Sequence, residues 1–264
     1  MRGHDFLDLE AYLGGSFLHP GGIRATQAMF ERLQFAPGRR VLEIGCGTGA
    51  TTALMARQTG ASIVALDRSP RMLATARRRH SQNGTRPPVD LVRVDLNRGF
   101  PFDDGAFDAV FAESVIALLD DVEVVASECF RVLTPGGRLA FNERIWKPGV
   151  PQPLVDEINA FSRRAFGIQS ATHQPLDHAG WVALLEQAGF VNVEAVPVGQ
   201  LQPVTTPTPT TGARFQRRLR YLRRPATIWQ ALRFKRLARQ HPDWWAQQEN
   251  YLFFGQKADA PAGG

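Results

Sequence analysis

Three glycines and three carboxylates in the first half of this chain are spaced for chemistry. The stretch VLEIGCGTGA, residues 41–50, sets Gly45, Gly47 and Gly49 behind a short apolar run that carries one acid, Glu43. Glycine adopts positive φ without strain and lets a ligand touch the backbone. A strand that ends this way and feeds a helix offers unpaired N–H groups and the positive end of a dipole, which suits an anion or a nucleotide. Asp67 lies 22 residues beyond Gly45, at the end of the apolar run SIVAL. An acid at that place can accept hydrogen bonds from ribose hydroxyls. Gly45-x-Gly47-x-x-Ala50 also satisfies a dinucleotide fingerprint, so on spacing alone a nicotinamide cofactor competes with other nucleosides. A merely tight turn would leave Asp67 unexplained. The third acid, Glu113, precedes Ser114 at the end of another apolar run. That is the carboxyl edge at which open α/β sheets bind ligands.

These residues need a sheet to hold them. Strands are expected at 41–44, 62–66, 89–94, 107–111, 138–145, 191–198 and 251–257. Helices are expected at 51–58, 70–79, 121–133 and 181–188. Ser69 reads as an N-cap with Pro70 at the first helical position. Thr134-Pro135-Gly136-Gly137 reads as a type II turn before the fifth strand. Near-continuous apolar strands alternating with helices predict an α/β fold, a doubly wound, mostly parallel seven-stranded sheet.

Five motifs in order then resemble the class I S-adenosylmethionine-dependent methyltransferases. They are EIGCGTG at 43–49, Asp67, Asp95-Leu96, GFPFDDGAFDAVFAESV at 99–115 and RVLTPGGRL at 131–139. The resemblance covers residues 39–146 and implies a Rossmann-like fold with S-adenosyl-L-methionine as cofactor. It implies that the backbone at Gly45, Cys46, Gly47 and Gly49 borders the methionine part and that Glu43 favours its ammonium group. Asp67, with Arg68 beside it, would meet the ribose, and Asp95 and Leu96 the adenine. Met72 would pack on the adenine or serve only as a core methionine. Glu113 is a candidate for cofactor contact and for catalysis, and Ser114 for substrate contact. The segment before the first strand covers the active site in related small-molecule enzymes. On that basis His19 is a candidate base or substrate contact and Tyr12 a neighbour of the sulfonium. The other reading of His19-Pro20-Gly21-Gly22 is a tight turn. His173, His178 and His241 read as loop or surface residues. The core motifs look like the branch that methylates prenylated quinones in ubiquinone and menaquinone biosynthesis, although these motifs are widely shared.

Composition bounds the rest. No run of 18 apolar residues exists, and MRGHDFLDLE lacks a signal core, so a cytoplasmic protein is expected. Cys46 and Cys129 belong to no metal-spaced cluster, and no metal is expected. The net charge of +6 is local: residues 212–240 hold ten of the 31 Lys and Arg, leaving 21 against 25 acids elsewhere. There Phe215, Leu219 and Leu222, then Ile228, Leu232, Phe234 and Leu237, lie among cations and predict two basic amphipathic helices. The segment reads as a lid, as a membrane-surface contact or as an RNA clamp carrying Arg217, Arg218, Arg223 and Arg224. The chain thus divides into an N-terminal cap (1–38), a core (39–199 and 249–257), a basic helical insertion (200–248) and a frayed tail (258–264). The expected activity is methyl transfer to oxygen or carbon of a hydrophobic small molecule. RNA methylation and a non-catalytic cofactor-binding role are the alternatives.

Overall fold

A computed structural model of the chain describes residues 5–13, 19–81, 89–202 and 226–259. The first expected basic helix, with Arg217, Arg218, Arg223 and Arg224, lies outside the described residues. Seven strands form one sheet in the order β3-β2-β1-β4-β5-β7-β6. They are β1 (Arg40–Ile44), β2 (Ser62–Asp67), β3 (Val89–Arg93), β4 (Phe107–Glu113), β5 (Leu133–Trp146), β6 (Phe190–Pro197) and β7 (Gln248–Lys257). β1 to β5 pair in parallel, and β7 runs antiparallel to both β5 and β6.

Period-2 alternation sorts the strands' side chains onto two faces. Leu42, Ile44, Val110 and Phe141 point to one face, where α5 (Val122–Val132) and α7 (His178–Gln187) cover them. Val41, Ile63, Ala65 and Phe111 point to the other, under α2 (Ile23–Leu33), α3 (Ala50–Thr59) and α4 (Pro70–Ser81). In α2, Ala25, Met29 and Leu33 recur at helical spacing and are buried. Burying each large side chain of this kind contributes ~1.5–3 kcal/mol. The Ser69 cap forms, with the Met72 N–H donating to its hydroxyl at 3.3 Å.

One expected element changes character. Thr134–Gly137 is a bulge inside β5 and not a turn before it. The register with β4 steps from Phe107↔Leu133 to Ala109↔Arg138, so two steps on β4 match five on β5. The surplus residues fold out because the apolar pattern on both sides must stay in phase.

Further helices lie over the carboxyl edge of the sheet: α1 (Asp5–Leu13), α6 (Gln152–Phe166), α8 (Ala226–Ala238) and the short α9 (Pro242–Trp245). Phe6, Phe166 and Phe234 bring α1, α6 and α8 together, with ring centroids 5.4 to 6.1 Å apart. No helix among the described residues is long and apolar enough to cross a membrane.

Candidate active site

Glu43, Asp67 and Glu113 sit at the carboxyl ends of β1, β2 and β4. All three share parity with Val41, Ala65 and Phe111, so they project from the same face of the sheet. A cavity of about 260 Å³ opens there. Glu43, Gly45, Cys46 and Gly47 line it from the glycine turn, and Asp67, Arg68 and Met72 from the end of β2 and the start of α4. Asp95 and Leu96 after β3, and Glu113 and Ser114 at the end of β4, complete the wall. Gly49 is not on the wall; it is the N-cap of α3.

The glycine turn is tied to Asp67. The Gly47 N–H donates to Asp67 Oδ2 at 2.9 Å, and the Ser69 N–H donates to Oδ1 at 2.7 Å. Burial raises the Asp67 pKa, and these two N–H groups oppose the shift. Gly47 has φ +52°, and a Cβ there would meet nothing within 4 Å. The space over that backbone is therefore open toward the cavity. Gly45 differs: with φ +70°, a Cβ would stand 2.6 Å from Val115 Cγ2, so the turn packs against the loop after β4.

Glu43 is buried, and its Oε2 has no hydrogen-bond partner among the described residues. Burial raises its pKa to about 8; the Thr52 hydroxyl opposes this, and the charges of Glu113 and Asp67 add to it. The folded protein thus holds this proton more tightly than the unfolded chain does. Ligand-free stability relative to Glu43→Gln should fall as pH rises from about 4.5 to about 8 and then level off. Urea melts of both proteins across that range check this, and a difference that does not change with pH would refute it. The Cys46 thiol is buried too, and burial pushes its pKa well up, so it stands as a neutral thiol.

Glu113 is a hub. Its Oε2 accepts from Thr51 Oγ1 of α3 at 2.6 Å and its Oε1 from Thr26 Oγ1 of α2 at 2.7 Å. His19 Nε2 lies 3.2 Å from the same Oε1. Asn142 Nδ2 donates to the Pro20 carbonyl at 2.7 Å and lies 3.0 Å from His19 Nδ1. A carbonyl only accepts, so it turns the amide nitrogen of Asn142 toward the turn; His19 Nδ1 lies 3.3 Å from the same carbonyl. The tight turn is present as well: the Gly22 N–H donates to the His19 carbonyl at 3.2 Å, and Gly21 has φ +75°. His19 lines the smaller cavity from this turn, with both ring nitrogens engaged inside the protein.

Ser114 follows Glu113 with φ +56°, unusual for a residue with a side chain. Its N–H donates to the Asn142 carbonyl at 2.7 Å, while its buried Oγ has no partner among the described residues. It borders both the first cavity and a second one of about 640 Å³. Phe6, Leu118 and Ile168 also border both. The second cavity is walled by Leu9 and Leu13 of α1, Phe166 of α6, Phe234 of α8, and Trp245. Glu143 stands at its floor, accepting the Val115 and Ile116 N–H groups at 2.9 and 2.7 Å. Burial raises its pKa to about 7 against those bonds.

The remaining predicted residues fall elsewhere. Tyr12 packs with Phe6, Leu9 and Phe234 but lines neither cavity. His173 is exposed, His178 stacks on Tyr251 and His241 on Trp244. The sequence reading did not find Thr26, Thr51, Asn142, Glu143 or α6. The α6 pattern, with Leu154, Val155, Ile158 and Phe161 at helical spacing before Gly167, was there to be read.

Comparison with known proteins places these features. Residues 42–141 match the family model described as "Methyltransferase domain". An uncharacterized protein of Haemophilus influenzae is 30% identical over 194 residues, 73% of each chain. Methyltransferase GfsG of Streptomyces halstedii is 30% identical over 191 residues, 72% of this chain and 66% of that one. Among solved structures, Haemonchus contortus phosphoethanolamine N-methyltransferase 2 in complex with S-adenosyl-L-methionine superposes with a TM-score of 0.68 at 21% identity. That match covers 96% of this chain but 57% of the other, and at such identity it speaks to the fold.

Proposed function

The chain belongs to the class I S-adenosylmethionine-dependent methyltransferases, and on that premise we propose that it methylates oxygen or carbon of a hydrophobic small molecule held in the larger cavity. The observation that carries this reading is the junction of the two cavities at Ser114. One cavity has the glycine turn and the carboxylates, and the other has aromatic walls.

The residues of the smaller cavity fit an adenosyl sulfonium. The unpartnered, buried Glu43 Oε2 is matched by an ammonium group, and the open space over Gly47 lets a ligand approach the backbone. Gly45 and Cys46 would border the methionine part. Asp67 keeps lone pairs beyond the two it gives to Gly47 and Ser69, and would accept both ribose hydroxyls. Asp95 would accept the adenine amino group, the Leu96 amide would donate to the ring, and Met72 would lie against its face. The cofactor supplies a methyl group already activated by a positively charged sulfur. What remains for the protein is to align the acceptor and exclude water. A base is needed only where the acceptor must lose a proton. His19 and Glu113 are engaged with each other, so we assign them to holding the N-terminal cap over the site as positioning residues. Ser114, with its free hydroxyl at the junction, is the substrate contact.

The core, the N-terminal segment and the insertion are read as one unit, with α6 joining the cap. The lid helix α8 carries two stripes. Ala231 and Phe234 face the cavity, while Ile228, Trp229 and Leu232 are exposed beside Arg233 and Arg236. The outer stripe suits contact with an anionic bilayer, where aromatic and aliphatic side chains dip between headgroups met by cations. A prenylated quinone would be one acceptor reached that way.

One experiment tests these points. The protein and a crude extract are incubated with S-adenosylmethionine labelled on its methyl group, with and without anionic vesicles, and label is counted in lipid, aqueous, RNA and protein fractions. Label is expected in the lipid-soluble fraction, absent from an Asp67→Ala, Gly47→Val control. Trp229→Asp, Leu232→Asp should lose vesicle flotation. Label in RNA would overturn the acceptor class, and unchanged flotation would reduce the outer stripe to a solvated face.

A further inference from the structure

Arg144 of β5 stands on the wall of the larger cavity. Among the described residues its guanidinium has neither an ion pair nor a hydrogen bond. Other arginines of this protein are paired: Arg131 with Glu128 and Asp104, Arg39 with Asp108, Arg32 with Glu194. Arg144 is accessible on that wall, and no acid acts on its guanidinium. Two carboxylates line the same cavity: Glu143 is bound to the Val115 and Ile116 amides, and neither it nor Glu10 acts on the Arg144 charge. A guanidinium that lines a cavity without a counter-charge is open to an anion there. Its planar fork matches carboxylate and phosphate oxygens.

The surroundings complete a subsite. Asn250 lies directly across from Arg144 in the β5–β7 register, so the two side chains share one face of the sheet. Asn250 also lines the cavity, and its Oδ1 position is buried without a partner among the described residues. An Asn amide can turn either its oxygen or its N–H2 to such a point. With an anionic oxygen on Arg144, the N–H2 is the matching choice. Lys235 of α8 adds a second positive charge to the same cavity. Arg144 is two residues beyond Asn142, whose carbonyl holds the Ser114 N–H, and therefore about 7 Å along the strand from it.

We infer that the acceptor carries an anionic oxygen group, a carboxylate or a phosphate, held by Arg144 with Asn250 and Lys235, while its apolar part lies along the aromatic walls. This rests on the reading that the larger cavity holds the acceptor. It makes the substrate an amphiphile.

The test is isothermal titration of the protein, saturated with S-adenosylhomocysteine, with decanoate, decyl phosphate and decanol as probes. The parent, Arg144→Gln and the cavity-filling Ala117→Trp are compared, each first checked for S-adenosylhomocysteine binding and for its melting temperature. An anionic probe should bind more tightly than decanol, and Arg144→Gln should weaken it by about tenfold or more, leaving decanol unchanged. Preference for decanoate or for decyl phosphate identifies the group. If decanol binds as well as the anions and Ala117→Trp alone blocks it, the cavity reading stands and the anionic subsite falls. If no probe binds any of the proteins, both readings fall.

Discussion

An Asp67→Ala variant should bind S-adenosylhomocysteine about 100-fold more weakly than the parent, or worse. Two charge-assisted hydrogen bonds to a ribose diol, at ~1.5–3 kcal/mol each, set that scale. The side chain also has a structural duty, because it accepts the Gly47 and Ser69 N–H groups. Removing it leaves two part-buried donors unpaired, which costs ~1–3 kcal/mol apiece if water cannot reach them. Asp67→Asn separates the two duties. It keeps the side chain's shape and an oxygen for the Gly47 N–H but turns an amide N–H2 toward the Ser69 N–H, so it should lose less stability than the alanine variant while binding drops by about tenfold. Calorimetric titration and urea melts on the three proteins give both quantities. An alanine variant that binds within threefold of the parent would remove Asp67 from the cofactor site.

The second large effect is expected at Glu113, on stability. One carboxylate joins α2 through Thr26, α3 through Thr51 and the N-terminal turn through His19, with only 8% of its side chain exposed. Glu113→Ala strands these donors in a buried place and should destabilise the protein by about 3–5 kcal/mol. Glu113→Gln keeps one acceptor oxygen and should cost less than half as much. A double-mutant cycle with His19→Ala reads the coupling of the turn to the hub directly. If Glu113→Ala costs under ~1 kcal/mol, the hub does not anchor the cap. A catalytic base would give the opposite pattern, with activity lost and stability unchanged.

Much of the fold was legible because its signals are local. β1, β2 and β4 are buried on both faces, so they read as short apolar runs, and Ser69 and Asp121 cap their helices from adjacent positions. The smaller cavity was legible for the same reason: Glu43, the glycines, Asp67 and Asp95 each sit at the end of a strand that can be recognised one at a time. The bulge at Thr134–Gly137 was misplaced because Pro and Gly mark a change of direction without saying on which side of it strand pairing begins.

What escaped the sequence depends on contacts between distant segments. His19 and Asn142 are 123 residues apart, and Thr51 and Glu113 are 62 apart. Nothing in either residue's neighbourhood announces its partner. Arg144 looks like any polar residue of a strand until α1, α6 and α8 bound the cavity that it lines. By itself the sequence determined the alternating architecture, the glycine turn and the row of carboxylates, because burial period and turn chemistry act over a few residues. Only the tertiary structure decided that the row faces one cavity, that His19 is locked to Glu113, and that an aromatic chamber with an unpaired guanidinium adjoins it. Those outcomes follow from strand register and from how helices far apart in the chain pack together.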